Sequence, residues 1–251
     1  MRVLVCIKRV PAPGARIVLT DDGQAIDTRL LSFTVSPHEE CAVEEAVSLA
    51  EAHDGSVTVL TLGPPEAEEQ LRSALAVGAH EAVLIPTDGS DWDPISTAAA
   101  IASSIEELEK DGSFGLILFG NESADSGGYQ VGIRVAHALG RPVVGGIKGI
   151  DVEDGSVWLR RDTPAGSEIY TLPLPAVVAV KEGINLPRYP TLKGRLNAKK
   201  VEVSRVERER VGSGQTMVRL TTPPQDVSET RILEDAAAMV DVLEELQVVK
   251  S

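Results

Sequence analysis

Apolar positions along the chain follow two alternating rhythms. Short, mainly apolar runs stand at Val3 to Ile7, Val57 to Leu62, Ala82 to Ile85 and Leu116 to Phe119. Such runs read as parallel strands covered on both faces. Between them apolar residues recur at helical spacing: Ala42, Val43, Ala46 and Val47, then Leu71, Ala74, Leu75 and Val77, then Ile95, Ala98, Ile101 and Ile105. A fourth helix is expected from Val131 to Gly140. The start and stop signals agree with these periods. Ser36 is a good N-cap, with Pro37 at the first helical position and Glu39 and Glu40 complementing the macrodipole. Gly78 suits a C-cap, Asp93-Pro94 opens the third helix, and Gly140-Arg141-Pro142 closes the fourth. Strand–helix alternation up to about residue 140 predicts an α/β protein with a right-handed, doubly wound, mostly parallel sheet.

Beyond Pro142 the pattern changes. Val143 to Ile150, Ser156 to Arg161 and Ser167 to Leu172 are separated by turn residues and read as an antiparallel meander added to the sheet. Pro175 to Val180 returns to a buried strand, and the prolines and cations of Lys181 to Lys200 read as a loop. Near the N-terminus, Ile17 to Leu19 and Gln24 to Asp27 flank Asp21-Asp22-Gly23 as a short hairpin. Gly212-Ser213-Gly214 reads as a flexible joint. After it, Ser228 can cap a last helix whose stripe is Ile232, Leu233, Ala236, Met239, Val240, Leu243 and Leu246. Such a helix either folds back on its own domain or packs on another chain. The expected division is one α/β domain over residues 1–205 and a C-terminal helical extension over residues 206–251.

Composition narrows the class of function. A formal net charge of −14 argues against nucleic acid and against an anionic membrane surface. No apolar run approaches the roughly 20 residues that a spanning helix needs, so no stable membrane insertion is expected. Cys6 lies in a strand pattern and Cys41 on a helix, which indicates neither a disulfide framework nor a metal cluster. The chain starts directly with a strand and leaves no room for a signal peptide, so the expectation is a cytoplasmic protein.

Catalytic signatures are missing from the sequence: it carries no GxSxG, no Walker A lysine loop, no HExxH and no CxxC. His38, His53, His80 and His137 all fall on or at helical patterns, without ligand spacing. The richest stretch is the turn after Leu116 to Phe119, which reads Gly120, Asn121, Glu122, Ser123, Ala124, Asp125, Ser126, Gly127, Gly128, Tyr129, Gln130 and then Val131. This order places backbone N–H groups and a helix N-terminus at the carboxyl end of a strand, where phosphorylated ligands bind in open α/β sheets. Its spacing is not GxGxxG. Gly127 and Gly128 let N–H groups converge, and Gln130 can donate an amide hydrogen bond to a phosphate oxygen. The first-strand exit at Lys8, the helix start at Ser36-Pro37, and Leu62-Gly63-Pro64 belong to the same sheet edge. Together they point to a nucleotide that is held and not transformed.

These residues, in this order, resemble the beta subunit of the electron transfer flavoproteins over essentially the whole chain to about residue 205. The matching pieces are Val3 to Pro11, Pro37 to Glu40 with Ala42 to Ala46, Leu62-Gly63-Pro64, Leu75 to Ala79, Asp125 to Gly132 and Leu174 to Val178. The most specific is Asn185-Leu186-Pro187-Arg188-Tyr189-Pro190-Thr191-Leu192, followed by Asn197-Ala198-Lys199-Lys200. The resemblance implies a Rossmann-like fold in a heterodimer with an alpha subunit, which carries most of the redox-active FAD. It also implies AMP in the beta subunit, or a second FAD in electron-bifurcating members. That nucleotide would lie against Cys6, Ser36, Pro37, His38, Glu39, Leu62 and the loop Gly120 to Val131. The recognition loop, residues 183–200, would dock acyl-CoA or other dehydrogenases by inserting Leu192, with Arg188, Tyr189, Lys193 and Arg195 around it. Asp162 falls where the family has an acidic residue that influences the mobile flavin domain. There are departures. Ser36 stands where many members have Asn, Leu186 replaces a common Glu, and Tyr129 replaces a small or amide residue. Lys193-Gly194-Arg195-Leu196 replaces the usual Pro-Asn-Ile-Met run.

The implied role is electron carriage from a docked dehydrogenase, through the FAD held with the alpha subunit, to a downstream oxidoreductase. The chain would then be no enzyme and would contribute no catalytic residue. The alternatives are a stand-alone adenine-nucleotide-binding regulatory domain and an adenylyl-transfer enzyme, and the missing catalytic lysine and metal ligands count against the second.

Overall fold

Successive side chains of a strand point to opposite faces, so a buried central strand serves two cores at once. The computed structural model describes residues 1–212, 214–224 and 232–249. β1 (Arg2–Ile7) leads to a small antiparallel pair, β2 (Val10–Pro11) with β3 (Phe33–Thr34). Then α1 (Pro37–Ala52), β4 (Ser56–Gly63), α2 (Glu68–Val77) and β5 (Glu81–Pro86) alternate as the periods predict. α3 (Pro94–Leu108), β6 (Leu116–Gly120) and α4 (Val131–Ala138) complete the series. The meander is β7 (Val143–Glu153), β8 (Ser156–Thr163) and β9 (Gly166–Pro173). β10 (Ala176–Val180), α5 (Leu192–Ala198), β11 (Val203–Arg205) and α6 (Ala236–Glu245) follow.

One sheet contains nine of these strands, in the order β11-β5-β4-β1-β6-β10-β7-β8-β9. Neighbours from β11 to β7 are parallel, and β8 and β9 continue antiparallel beyond β7. Val3, Val5 and Ile7 of β1 join one core with α1 and α2, while Leu4 and Cys6 join the other with α3 and α4. This is the mostly parallel α/β sheet with an added meander that the sequence predicts. The caps explain where its helices begin. Ser36 and Glu39 form a reciprocal capping box at α1, and the Asp93 side chain accepts from Ile95 N and Ser96 N at α3. Gly78 ends α2 at φ 128°, and a Cβ there would come within 2.8 Å of Val47 Cγ1, so the glycine also lets α2 close on α1.

Other expectations change. Lys181 to Lys200 is not loop throughout, because Leu192–Ala198 is helical. Thr191 caps it by accepting from Gly194 N at 3.0 Å, and Arg72 of α2 donates to Ala198 O and Val201 O at its other end. Tertiary contact makes this short helix: a Cβ on Gly194 would overlap Ala76 O of α2. The short hairpin expected over residues 17–27 does form, held by the Leu19–Ile26 bridge with Asp27 N donating to Val18 O and Thr20 N to Ala25 O, but outside the main sheet. β11, too short to show a period, extends the sheet beside β5. Ser228 and the central Ser213 of the expected joint lie outside the described residues. α6 is instead capped by Asp235, whose side chain accepts from Ala238 N at 2.9 Å.

Replacing Gly194 with Ala forces α5 away from α2. We expect a stability loss of about 1–3 kcal/mol, as for other overpacked contacts. Urea unfolding checks this, and an unchanged midpoint would show that α5 is free of α2.

Candidate functional site

β1 and β6 are adjacent, with Cys6 opposite Phe119, while the chain crosses from β1 to one side of the sheet and from β6 to the other. This switch point opens a crevice at the carboxyl ends of the two strands. α1 enters it at its N-terminus. A Cβ on Gly120 would lie 2.6 Å from Glu39 Cγ and 3.3 Å from His38 Cβ, so only glycine allows this approach. Glu39 is buried by it. Loss of water pushes its carboxyl up to about 7, against the opposing pull of N–H groups from Lys8 and Ser36. Burial first, and Glu39 second, push the Cys6 thiol well up.

The turn after β6 folds around these groups. Lys8 Nζ lies 2.6 Å from Asp125 Oδ2. Burial alone would raise the Asp125 carboxyl, but the Lys8 ammonium overrides it and leaves the group below its ordinary value. His38 Nδ1 accepts from Glu182 N at 2.8 Å, which turns Nε2 toward Glu122 Oε1 at 3.4 Å. The Tyr129 hydroxyl also donates to Glu122, and this bond raises the phenol above its usual value. Gly127 (φ 53°) and Tyr129 (φ 54°) are both left-handed. At Tyr129 that conformation is uncommon and marks local strain in the turn. Ser123 Oγ and Ser126 Oγ are 2.8 Å apart, and Gly127 N donates to Ser123 O.

These groups surround a cleft of about 400 Å³. Six of the expected residues line it: Pro37, His38, Glu122, Ser123, Ala124 and Gly127. Pro13 and Glu182 complete it. Sequence reasoning missed Glu182, because nothing local says that β10 lies beside β6. The remaining expected residues are disposed differently. Cys6 and Leu62 pack in the α3/α4 core, and Ser36 is fully buried as the α1 cap. Asn121 turns to β7, where its Oδ1 accepts from Gly146 N at 2.7 Å. The turn also holds Asp125, Ser126 and the open Gly128, and Gln130 Oε1 accepts from Arg134 at the start of α4. α4 begins at Val131 with no side chain bonded to its first N–H groups.

The segment after β10 runs to a second surface. Leu186, Tyr189 and Leu192 are 90%, 93% and 76% exposed, with Lys193 and Arg195 beside them on α5. Arg188 is not turned outward: it holds Glu44 at 2.9 Å and Glu51 at 2.7 Å. Asp162 lies apart, on β8, where it accepts from Arg160 at 2.9 Å and from Ser167 at 3.1 Å.

Residues 26–211 match the model of the electron transfer flavoprotein domain. A Mycobacterium tuberculosis protein called electron transfer flavoprotein subunit beta is 34% identical over 249 residues, covering 93% of this chain and 92% of the relative. This chain belongs to the beta-subunit family of the electron transfer flavoproteins. Proteins of the same description from Mycobacterium leprae and Bacillus subtilis are 38% and 34% identical, covering 80% and 82% of this chain and 77% and 79% of their own lengths. Among the described residues of this electron transfer flavoprotein chain, no helix is long and apolar enough to cross a membrane. Nor do three or more His, Cys, Asp or Glu side chains come together to hold a metal ion.

Glu39 makes stability depend on pH. Its folded value, about 7, lies above the ordinary 4.5, so its contribution is complete below about pH 4.5 and is lost as pH rises through 7. Urea unfolding of the protein and of a Glu39→Gln variant, which mimics the neutral carboxyl and keeps the capping bond, should show the protein losing about 3 kcal/mol relative to the variant over that window. A constant difference would mean that Glu39 is ionised throughout.

Proposed function

We propose that this chain pairs with an electron transfer flavoprotein alpha subunit, holds AMP or a second FAD in the cleft, and docks dehydrogenases at the Leu192 surface. The observation that carries this reading is the convergence of Pro37 and His38 at the start of α1 with Glu122, Ser123, Ala124 and Gly127 of the turn after β6 on one cleft at the sheet's switch point. The donor set suits a nucleotide. Open N–H groups at the start of α4, next to Gly127 and Gly128, are of the kind that bind phosphate. Glu122 and Glu182 can accept only from hydroxyl or amine donors, as the sugar and base present them. The volume lies within the range of small-molecule sites.

Every residue assigned to the cleft is a holder, and none acts as general acid or base. The FAD held with the alpha subunit supplies the electron chemistry, and this chain positions the assembly. On the docking surface the exposed leucines and Tyr189, flanked by cations, suit a partner with an apolar pocket and an acidic rim, a dehydrogenase in this reading. Electrons would leave to a downstream oxidoreductase. The extension over residues 206–251 is divided. Its first part lies on the chain's own domain, where Val206 N donates to Leu84 O, Ser96 Oγ to Val211 O and Leu220 N to Gly23 O. Met239 and Val240 of α6, with Leu246 just beyond it, expose an apolar face that suits the alpha subunit. Asp162 is assigned to the flavin domain of the same partner.

Co-expression with the alpha subunit should yield a yellow heterodimer, and denaturing it should release a second nucleotide besides the alpha-held FAD. AMP marks a conventional carrier and extra FAD a bifurcating one; a colourless monomer without nucleotide would overturn the reading. In the heterodimer, Leu192→Ala should slow dehydrogenase-to-flavin transfer about tenfold and leave nucleotide content unchanged. Equal loss of both would place docking elsewhere.

A further inference from the structure

The cleft and the docking surface are joined by one continuous set of bonds along α1. Residues 182–188 run beside the helix and meet it at successive turns. Glu182 N donates to His38 Nδ1 at 2.8 Å. Asn185 Nδ2 donates to Cys41 O at 3.0 Å and to Glu45 Oε2 at 2.9 Å. Arg188 donates to Glu44 through its backbone N–H and its guanidinium, and to Glu51 at 2.7 Å. The segment turns at Gly183 (φ 81°) and then follows the helix from Asn185 to Arg188. Arg188 bonding holds Glu51 below its ordinary value, and it does the same at Glu44, where burial alone would raise the carboxyl. The pairs are therefore charged at neutral pH.

The first rung of this rail is also the wall of the cleft, because His38 and Glu182 both line it. The last rung, Arg188, directly precedes Tyr189 and stands four positions before Leu192. We propose that Asn185 and Arg188 are positioning residues, and that the rail transmits occupancy of the cleft to the exposed Leu186–Tyr189–Leu192 surface. A ligand that fixes His38 and Glu182 anchors the rail at one end. Ordering of the docking surface then follows without any contact between ligand and Leu192. By reciprocity, a docked partner tightens the nucleotide. The inference rests on the nucleotide and docking roles proposed above.

Hydrogen–deuterium exchange on the full chain, stripped of nucleotide and then given AMP or FAD, tests it. With either probe, exchange should slow at residues 36–39 and 121–131, and also by about fivefold or more at residues 185–191. In Arg188→Gln and in Glu44→Gln the cleft protection should persist while that at residues 185–191 is lost, and the double variant should add nothing to either single one. Protection confined to the cleft in the unaltered chain, or persisting at residues 185–191 in both variants, would overturn the rail while sparing the nucleotide. Absence of protection everywhere would overturn the nucleotide reading and the rail with it.

Discussion

The N-terminus of α1 is driven against the end of β6 at Gly120, and the arrangement of the crevice depends on that approach. With no side chain at Gly120, Glu39 is sealed from water beneath the turn, bonded to Ser36 and to the first residue beyond β1. Burying a carboxyl here is unfavourable in isolation. It is tolerated because one acidic group closes the helix N-terminus and ties together the exits of two strands. His38, next in the chain, is thereby aimed along the crevice toward Glu122.

α1 then has two obligations besides packing. Ala42, Val43, Ala46 and Val47 are buried in the core on one face of the sheet. Its polar residues, His38, Glu44, Glu45 and Glu51, accept from the segment that follows β10. Glu44 is buried although charged, which is stable only because the Arg188 fork saturates it. One helix thus forms a wall of the cleft and the support of an exposed apolar surface.

Much of this was legible along the chain. Ser36-Pro37 announced α1 because a cap, a first-turn proline and acidic residues stand next to one another, and the Gly120–Gln130 turn stood out because strand, turn and helix are contiguous. α5 was not legible. Its seven residues include Gly194, a poor helix former, and they are helical only because that glycine fits against Ala76 O and Arg72 completes the far end. β11 has three residues, too few to show a period, and exists because the edge of β5 was free to pair. Arg188 read as a cation for a partner, yet it is used up inside the chain by Glu44 and Glu51 of α1.

The sequence by itself determined the alternation of strands and helices, their caps, the loop that faces the crevice and the family to which the chain belongs. All are properties of neighbours within a few positions, or of short motifs in a given order. Only the tertiary structure decided which strand lies beside which, and with it the company that His38 keeps. Glu182 is 144 residues away along the chain and becomes its partner because β10 pairs with β6. Periodicity specifies which face of an element is buried, but not what is buried against it. That choice belongs to sheet order and to close approaches such as those at Gly120 and Gly194, which the chain reveals only once it is folded.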